Sequence, residues 1–351
     1  MKILVFCPNW IGDVVMATPT LRSLHNHFPD AHLAGVMRPY VAEVLAGNPR
    51  LDATILCDRR SSDLTHRPLE VTRRLRREGF DLAVLLTNSF RSALLAWLGG
   101  AKRRVGYGRD GRWFLLNDRI SAGSPFARRR PSPVIDYYLR IAEHVGAPSD
   151  GYQMDLYTTE ADEAAADDLW RRHELSDQEV VALNPGAAFG PAKRWPSHYF
   201  SELARRLVDE RGVKVLVLCG PKERGFARFI TDASFRPRQV RSLADEPVSI
   251  GLTKALIRRS RLLVSTDSGP RHFAAAFGVP VVSLFGPTHI EWTETYFEKE
   301  TTLQKKLSCG PCQQRVCPLG HHRCMQELAV EEVFVAALKR LNEGDASTAA
   351  A

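Results

Sequence analysis

The residues best suited to chemistry in this chain of 351 residues lie in a polar stretch between two apolar runs. The runs 262–264 and 281–284 are long enough for buried parallel strands. Residues 267–269 follow the first run, and the helix predicted after them has Pro270 in its first turn and ends at Gly278. Backbone N–H groups at the start of such a helix favour an anion such as a diphosphate. The alternative is an ordinary capped turn, for which serine and glycine are common.

Lys193 lies in a small, glycine-rich loop after a predicted strand at 180–184. Small residues let the phosphates of a ligand approach the backbone, and a lysine there would offset charge on a departing diphosphate. The alternative is a solvated lysine in a loop.

Asp13 ends the loop that follows the first predicted strand, 2–6. A carboxylate at this position can accept a proton from a hydroxyl group as it attacks a sugar carbon. The alternative is that Asp13 caps the next helix, a position that aspartate fills well. Pro19 lies inside that helical pattern, so the helix either kinks or begins its regular part near residue 18.

Strands and helices alternate along both halves of the chain, which predicts an α/β protein with parallel sheets covered on both faces. The predicted strands are 2–6, 32–36, 53–57, 82–86 and 104–106, then 180–184, 213–219, 240–243, 262–265 and 281–284. We expect two Rossmann-like domains facing a central cleft, because open sheets bind ligands beyond the carboxyl ends of their strands. Their predicted limits are 1–155 and 179–328, with an interdomain crossover at 156–178, a carboxyl-terminal helix at 329–343 and a disordered tail at 344–351.

The composition is that of a globular protein, with 44% apolar and 25% charged residues. Its apolar runs are shorter than the roughly 20 residues that span a bilayer, and its start lacks a signal-peptide pattern. These features predict a cytoplasmic location.

The net charge of +8 is confined to the first 150 residues, which hold 22 basic and 14 acidic side chains. It concentrates in the runs 73–77, 102–104 and 128–130. Such a surface suits acidic lipid headgroups, a phosphorylated sugar acceptor or nucleic acid, and the alternative is a solvated surface with no partner. We expect no nucleic acid, because no recognised motif or aromatic stripe accompanies the charge.

A cysteine-rich segment near the end has the residue types of a metal site. Its thiols and imidazoles belong to Cys309, Cys312, Cys317, Cys324, His321 and His322. These ligand types suffice for a structural tetrahedral zinc site, although the spacing is not a standard one. The alternative, which we favour, is a set of reduced and partly packed thiols.

Four stretches together resemble the heptosyltransferase family of lipopolysaccharide assembly, glycosyltransferase family 9. They are CPNWIGDVVMATPTLRSL at 7–24, NPGAAFGPAKRWP at 184–196, STDSGPRHFAAAFGVPVVSLFG at 265–286 and CGPCQQRVCPLGHHRCM at 309–325. They occur in the family's order in both halves of the chain. The cysteine segment is most similar to members that add the second inner-core heptose.

The resemblance implies a GT-B fold and an inverting, metal-independent glycosyl transfer without a cofactor. It implies that Asp13 is the general base and that Lys193 stabilises the leaving group. The other residues that it places around ADP-heptose are Gly186, Ala187, Ala188, Glu223, Asp267, Ser268, Gly269 and His272. Among these, Asp267 would meet sugar hydroxyls and Glu223 the ribose, while His272 and the backbone of 268–269 would meet the diphosphate. Other members carry hydroxyl residues at 187–188, so alanine there leaves only backbone contacts to phosphate.

The acceptor that the resemblance implies is heptosyl-Kdo–lipid A, bound by the basic amino-terminal domain, with peripheral contact to the cytoplasmic face of the inner membrane. Three alternatives stay open. One is transfer of the first heptose, another is a nucleotide-sugar epimerase on the same fold, and the third is a basic binding module without catalysis.

Overall fold

The computed structural model describes residues 1–121, 131–175 and 179–349, so the arginines at 128–130 lie outside the described residues. The chain divides into two compact units. The first comprises Met1–Tyr157 with Glu291–Thr295, and the second comprises Thr158–Ile290 with the residues from Tyr296 onward.

The first unit contains a six-stranded parallel sheet. Its strands are β1 (Lys2–Phe6), β2 (His32–Met37), β3 (Ala53–Leu56), β4 (Leu82–Leu85), β5 (Arg103–Tyr107) and β6 (Asp118–Ile120). Its helices are α1 (Ile11–Met16), α2 (Thr18–His27), α3 (Pro39–Leu45), α4 (Pro68–Glu78), α5 (Phe90–Leu98) and α6 (Val134–His144). The strand order is β3-β2-β1-β4-β5-β6. Four residues of β1 are buried, as expected for a central parallel strand.

The second unit repeats this plan. Its strands are β7 (Val180–Asn184), β8 (Lys214–Val217), β9 (Val240–Ser242), β10 (Leu262–Thr266), β11 (Val281–Phe285) and β12 (Glu300–Gln304). Its helices are α7 (Glu160–Arg172), α8 (Ser197–Arg211), α9 (Arg224–Ala233), α10 (Ile250–Arg259), α11 (Gly269–Phe277), α12 (Arg323–Gln326) and α13 (Val330–Ala349). The strand order is β12-β11-β10-β7-β8-β9.

Each sheet reverses its strand order at one point, between β1 and β4 in the first unit and between β7 and β10 in the second. The strands on either side are parallel neighbours, with Val5 beside Val84 and Leu183 beside Val264. The loops that leave such neighbours diverge to opposite faces and leave a crevice at the carboxyl ends of the strands. Asp13 follows β1, and the loops with Lys193 and Asp267 follow β7 and β10, so each unit presents candidate residues at this point.

The α/β class and the parallel sheets are confirmed, and most elements agree with the predicted ranges within two residues. Of the two options for Pro19, the separate helix is found, since proline occupies the first turn of α2. The sequence analysis missed β6, β12 and α6. Both missed strands are polar edge strands, which lack the continuous apolar pattern of central ones.

The helix α13 continues to Ala349, beyond the limit at 343 and into the predicted disordered tail. Among the described residues, no helix is both long and apolar enough to cross a bilayer.

Candidate functional site

A buried ion pair joins the two loops at the reversal point of the second sheet. Lys193 ends a short 3-10 turn after β7, and its Nζ lies 2.5 Å from Oδ2 of Asp267, directly after β10. The same Nζ donates to the backbone oxygen of Asp267 at 3.1 Å. Both residues are buried. The alternative of a solvated lysine is therefore wrong.

Asp267 is held as an anion. Burial alone would raise the pKa of its carboxyl group, but the charges of Lys193 and Arg271 outweigh burial and lower the pKa. Thr288 Oγ1 also donates to Oδ2 at 2.7 Å. Arg271 Nη1 lies 3.8 Å from Oδ1. The carboxylate that the resemblance places at sugar hydroxyls is thus fixed from several sides.

Arg271 and Glu300 form a second buried ion pair behind this carboxylate. The guanidinium of Arg271 is fully buried and pairs with both carboxylate oxygens of Glu300. Ser283 Oγ also donates to Glu300 at 2.6 Å. Sequence reasoning missed Arg271, Thr288 and Glu300. The one available signal was a pair of opposite charges, Arg271 in an alanine-rich helix and Glu300 at the start of a polar segment, and no local pattern connected them.

His272 is buried beside this network. Burial, and next the charge of Arg271, lower the pKa of its imidazole to about 3, so the ring is neutral at physiological pH. Its Nδ1 atom has no hydrogen-bond partner within the described part of the chain. Because buried polar atoms are normally paired, this atom is suited to a hydrogen bond with a ligand.

The turn before α11 leaves its backbone available for an anion. Ser268 is the N-cap residue of α11, yet its Oγ accepts from Asn184 Nδ2 at 2.8 Å and donates to the Thr266 oxygen at 3.2 Å. The side chain therefore does not accept from the N–H group of Gly269, the first residue of the helix. Pro270 has no N–H group, and the Arg271 N–H donates to the Ser268 oxygen at 3.2 Å. This arrangement is compatible with the predicted backbone contacts to a diphosphate.

Glu223 connects the loops after β7 and β8. Its Oε1 accepts from the Ala187 N–H at 3.1 Å, and its Oε2 accepts from the Gly220 N–H at 3.0 Å. A Cβ atom at Gly186 would lie 2.5 Å from Oε2, so a larger residue there would displace the Glu223 carboxylate. Ala187 is buried and Ala188 is exposed. Glu223 thus joins the loop after β7 to the loop after β8, a contact that the sequence did not indicate.

Asp13 is the third residue of α1, and Trp10 occupies the N-cap position. The alternative that Asp13 caps this helix is therefore wrong. The residue is half-buried in the first unit, whereas all the other predicted site residues belong to the second. Tyr138 of α6 lies near it, since burial and then the Asp13 charge raise the pKa of that phenol well above its usual range.

The cysteine-rich segment lines one cavity of about 150 Å³ in the second unit. All four of its thiols are free. Among the described residues, no three metal-binding side chains are grouped closely enough to hold an ion. His322 Nε2 instead contacts the Ala192 backbone oxygen at 2.7 Å, one residue before Lys193. The segment therefore also supports the loop that carries this lysine.

Several basic side chains of the runs 73–77 and 102–104 are paired with carboxylates within the first unit. Arg74 pairs with Glu78 at 2.6 Å and Lys102 pairs with Asp81 at 2.7 Å. Arg103 pairs with Asp118, also at 2.7 Å. These pairs reduce the free positive charge that the sequence analysis assigned to the runs 73–77 and 102–104.

The chain has two doubly wound units, and residue types suited to anions and sugars cluster at the reversal point of the second. These features define a GT-B type glycosyltransferase. A model of glycosyltransferase family 9 (heptosyltransferase) matches residues 69–323. The chain belongs to this family.

Relatives and solved structures agree with this assignment. The chain is 28% identical to lipopolysaccharide heptosyltransferase 2 of Escherichia coli K12, over 95% of this chain and 97% of that protein. It is 29% identical to lipooligosaccharide heptosyltransferase 2 of Haemophilus ducreyi, with the same coverage. The solved structure of E. coli ADP-heptose lipopolysaccharide heptosyltransferase II superposes with a TM-score of 0.81 at 25% identity, covering 98% of this chain and 100% of that one. An E. coli heptosyltransferase solved with ADP shares the fold, with a TM-score of 0.75 at 15% identity over 97% of this chain and 100% of that one.

Proposed function

We propose that this protein is an ADP-heptose:lipopolysaccharide heptosyltransferase II. It transfers L-glycero-D-manno-heptose from ADP-heptose onto the first heptose of the Kdo–lipid A inner core. The observation that carries the proposal is the similarity to heptosyltransferase 2 proteins of several organisms over 95% of the chain. The buried network around Lys193 and Asp267 supports it, since these residue types suit a nucleotide-sugar donor.

The reaction is a single displacement with inversion. An acceptor hydroxyl oxygen bonds to the anomeric carbon while the bond from that carbon to the diphosphate oxygen breaks, and ADP leaves with the electron pair. Asp13 accepts the hydroxyl proton as general base. The transition state has oxocarbenium character, as in glycoside cleavage.

The second unit supplies the leaving-group contacts. Lys193 is the cation for the departing diphosphate, and the Gly269 N–H group at the start of α11 adds to it. The neutral His272 contributes a hydrogen bond without adding charge. Asp267 meets the heptose hydroxyls. Contacts with Thr288 and Arg271 hold its carboxylate in one orientation. The basic first unit binds the anionic acceptor and contacts the membrane surface that carries it.

The test is ADP release from ADP-heptose with heptosyl-Kdo–lipid A, with Kdo–lipid A or without acceptor. We expect release only with the heptosylated acceptor. Asp13→Asn should lower kcat by about a hundredfold or more while ADP binding is kept, because the donor residues lie in the other unit.

Three outcomes would change the assignment. Release with Kdo–lipid A alone would indicate transfer of the first heptose. Conversion of the free donor without an acceptor would indicate an epimerase. No turnover from folded protein would favour a binding module.

A further inference from the structure

The first unit exposes four large aromatic side chains on α5 and on the turn after β5. Phe90 and Trp97 on α5 are 41% and 51% exposed, and Trp113 and Phe114 are 59% and 58% exposed. The ring centroids of Phe90 and Phe114 are 6.1 Å apart, and those of Trp113 and Phe114 are 5.8 Å apart. We call these four residues the aromatic surface.

The helix α5 is apolar on its outer side as well as on its inner side. Ala93 and Ala96 are buried in the core of the unit. Phe90 and Trp97 are seven residues apart, hence on one face of the helix, and this face is exposed. A soluble surface helix normally carries polar residues there, so a contiguous exposed apolar face marks an interaction site.

The turn that presents Trp113 and Phe114 is held in place by the buried side chain of the preceding arginine. Arg112 is fully buried, and its guanidinium donates to Asn88 Oδ1 at 3.0 Å and to the Tyr107 oxygen at 3.2 Å. The exposure of the two neighbouring rings is therefore a fixed feature of the fold.

Unpaired positive charge surrounds the aromatic surface. Arg91 and Arg119 are exposed and Arg109 is half-buried. Among the described residues, none of the three forms an ion pair with a carboxylate, although Asp110 lies in the same turn. The guanidinium of Arg119 lies 5.9 Å from the centre of the Trp113 ring. This differs from Arg73, Arg74, Lys102 and Arg103 of the basic runs, which are paired with carboxylates. The charge beside the aromatic surface is complementary to an anionic partner.

We propose that the aromatic surface docks the enzyme on an anionic lipid bilayer. Tryptophan and phenylalanine bury their rings at the headgroup level, and the arginines contact lipid phosphates. Phe90 begins α5 just after the carboxyl end of β4, and β4 neighbours β1, whose loop leads to Asp13, so this part of the aromatic surface lies at the functional edge of the sheet. The inference rests on the proposed function, in which the acceptor is a lipid in the membrane.

The test is sedimentation of the full chain with vesicles, in the absence of donor and acceptor. One set contains phosphatidylcholine alone and the other an equimolar mixture with phosphatidylglycerol. We expect binding to the mixed vesicles, and a partition coefficient about tenfold lower for Trp113→Ala/Phe114→Ala. Arg91→Ala/Arg119→Ala should weaken binding to the mixed vesicles at low salt and have little effect at high salt.

The matched control is Phe229→Ala/Phe235→Asn, which removes two aromatic side chains that are 49% and 76% exposed in the second unit. It should bind vesicles like the wild type. Unfolding temperature and ADP binding verify that each variant is folded.

Several results would overturn the docking proposal. They are absent wild-type binding, unchanged binding of the aromatic variant, and an equal loss in the control. A concentration-dependent dimer in sedimentation velocity, abolished by the aromatic variant, would assign the surface to a second copy instead. Vesicle binding without ADP release would support the docking proposal and reject the proposed function. ADP release without vesicle binding would support the proposed function and reject the docking proposal.

Discussion

Lys193 and Asp267 are 74 positions apart in the sequence, yet Lys193 Nζ lies 2.5 Å from Asp267 Oδ2. Both side chains are almost completely buried, at 10% and 3% exposure. The cation proposed for the leaving group is therefore already paired with the carboxylate proposed for the sugar. One interaction links the two halves of the proposed donor site, and the lysine helps to hold the Asp267 carboxyl group in its charged form.

Lys193→Ala should destabilise the protein as well as stop the reaction. Removal of the lysine takes the nearest cation away from a buried carboxylate, while Thr288 and Arg271 stay beside it. Breaking one side of a buried ion pair costs about 3–5 kcal/mol, so we expect a loss of free energy of unfolding of that order. Urea denaturation followed by circular dichroism measures it.

The double variant Lys193→Ala/Asp267→Ala is the control for this interpretation. Because it removes both charges, it should be no less stable than Lys193→Ala, with a coupling energy of about 1–3 kcal/mol between the sites. Additive losses would show that the pair does not stabilise the fold.

The two loops of this pair were predictable and their contact was not. Val180–Asn184 and the strand at Leu262–Thr266 are apolar runs bounded by small residues, so their ends located Lys193 and Asp267 at the carboxyl edge of a sheet. The pairing depends on which strands become neighbours, and β7 and β10 are separated by two strands in the sequence. The sequence pattern around each strand carries no information on which strands become neighbours in the sheet.

His272 should make stability depend on pH between 5.5 and 7.5. The unfolded chain takes up a proton on this histidine below pH 6.5, its ordinary pKa, whereas the folded protein does so only near pH 3. Stability is therefore lost as the pH falls. For a single group with these pKa values the loss between pH 7.5 and 5.5 is on the order of 1 kcal/mol. Urea denaturation at the two pH values measures it.

His272→Gln removes this titration and keeps a polar side chain of similar size. The variant should lose on the order of 1 kcal/mol less than the wild type over the same interval. Equal losses in the two proteins would mean that His272 takes up its proton in the folded state. A histidine signal that shifts between pH 5 and 7 in the NMR spectrum of the wild type, and is missing in the variant, would confirm that result.

Glu223 should act on donor affinity by positioning the loop after β7. Glu223→Ala leaves the N–H groups of Ala187 and Gly220 without their carboxylate. We expect ADP to bind roughly tenfold more weakly, since each lost hydrogen bond is worth about 1 kcal/mol or less. Isothermal titration calorimetry measures the change, and Glu223→Gln, which keeps one acceptor oxygen, should lie between the two.

A nucleotide lacking a ribose hydroxyl distinguishes positioning from direct contact. If Glu223 acts through the loop, 2′-deoxy-ADP and 3′-deoxy-ADP lose the same factor of affinity in the wild type and in Glu223→Ala. If it accepts ribose hydroxyls, as the resemblance implies, the deoxy nucleotides lose affinity only in the wild type. The sequence pointed to direct contact with the ribose. A glutamate before a helix gives no sign of the neighbouring loop that its carboxylate contacts, so the positioning role could not be predicted.

The cysteines should differ widely in reactivity. Backbone N–H groups, first that of His322, lower the pKa of the Cys317 thiol, whereas burial raises the pKa of Cys7 to about 12. The thiolate is the reactive form, so a lower pKa means faster reaction at neutral pH. We expect iodoacetamide at pH 7.5 to label Cys317 first and Cys7 only after unfolding, as measured by peptide mass spectrometry over time. Cys317→Ser should remove the fast phase and keep the rest of the labelling pattern.

Protection of Cys309, Cys312 and Cys317 together until a chelator is added would contradict this expectation and point to a bound metal ion, because coordinated thiolates do not react freely.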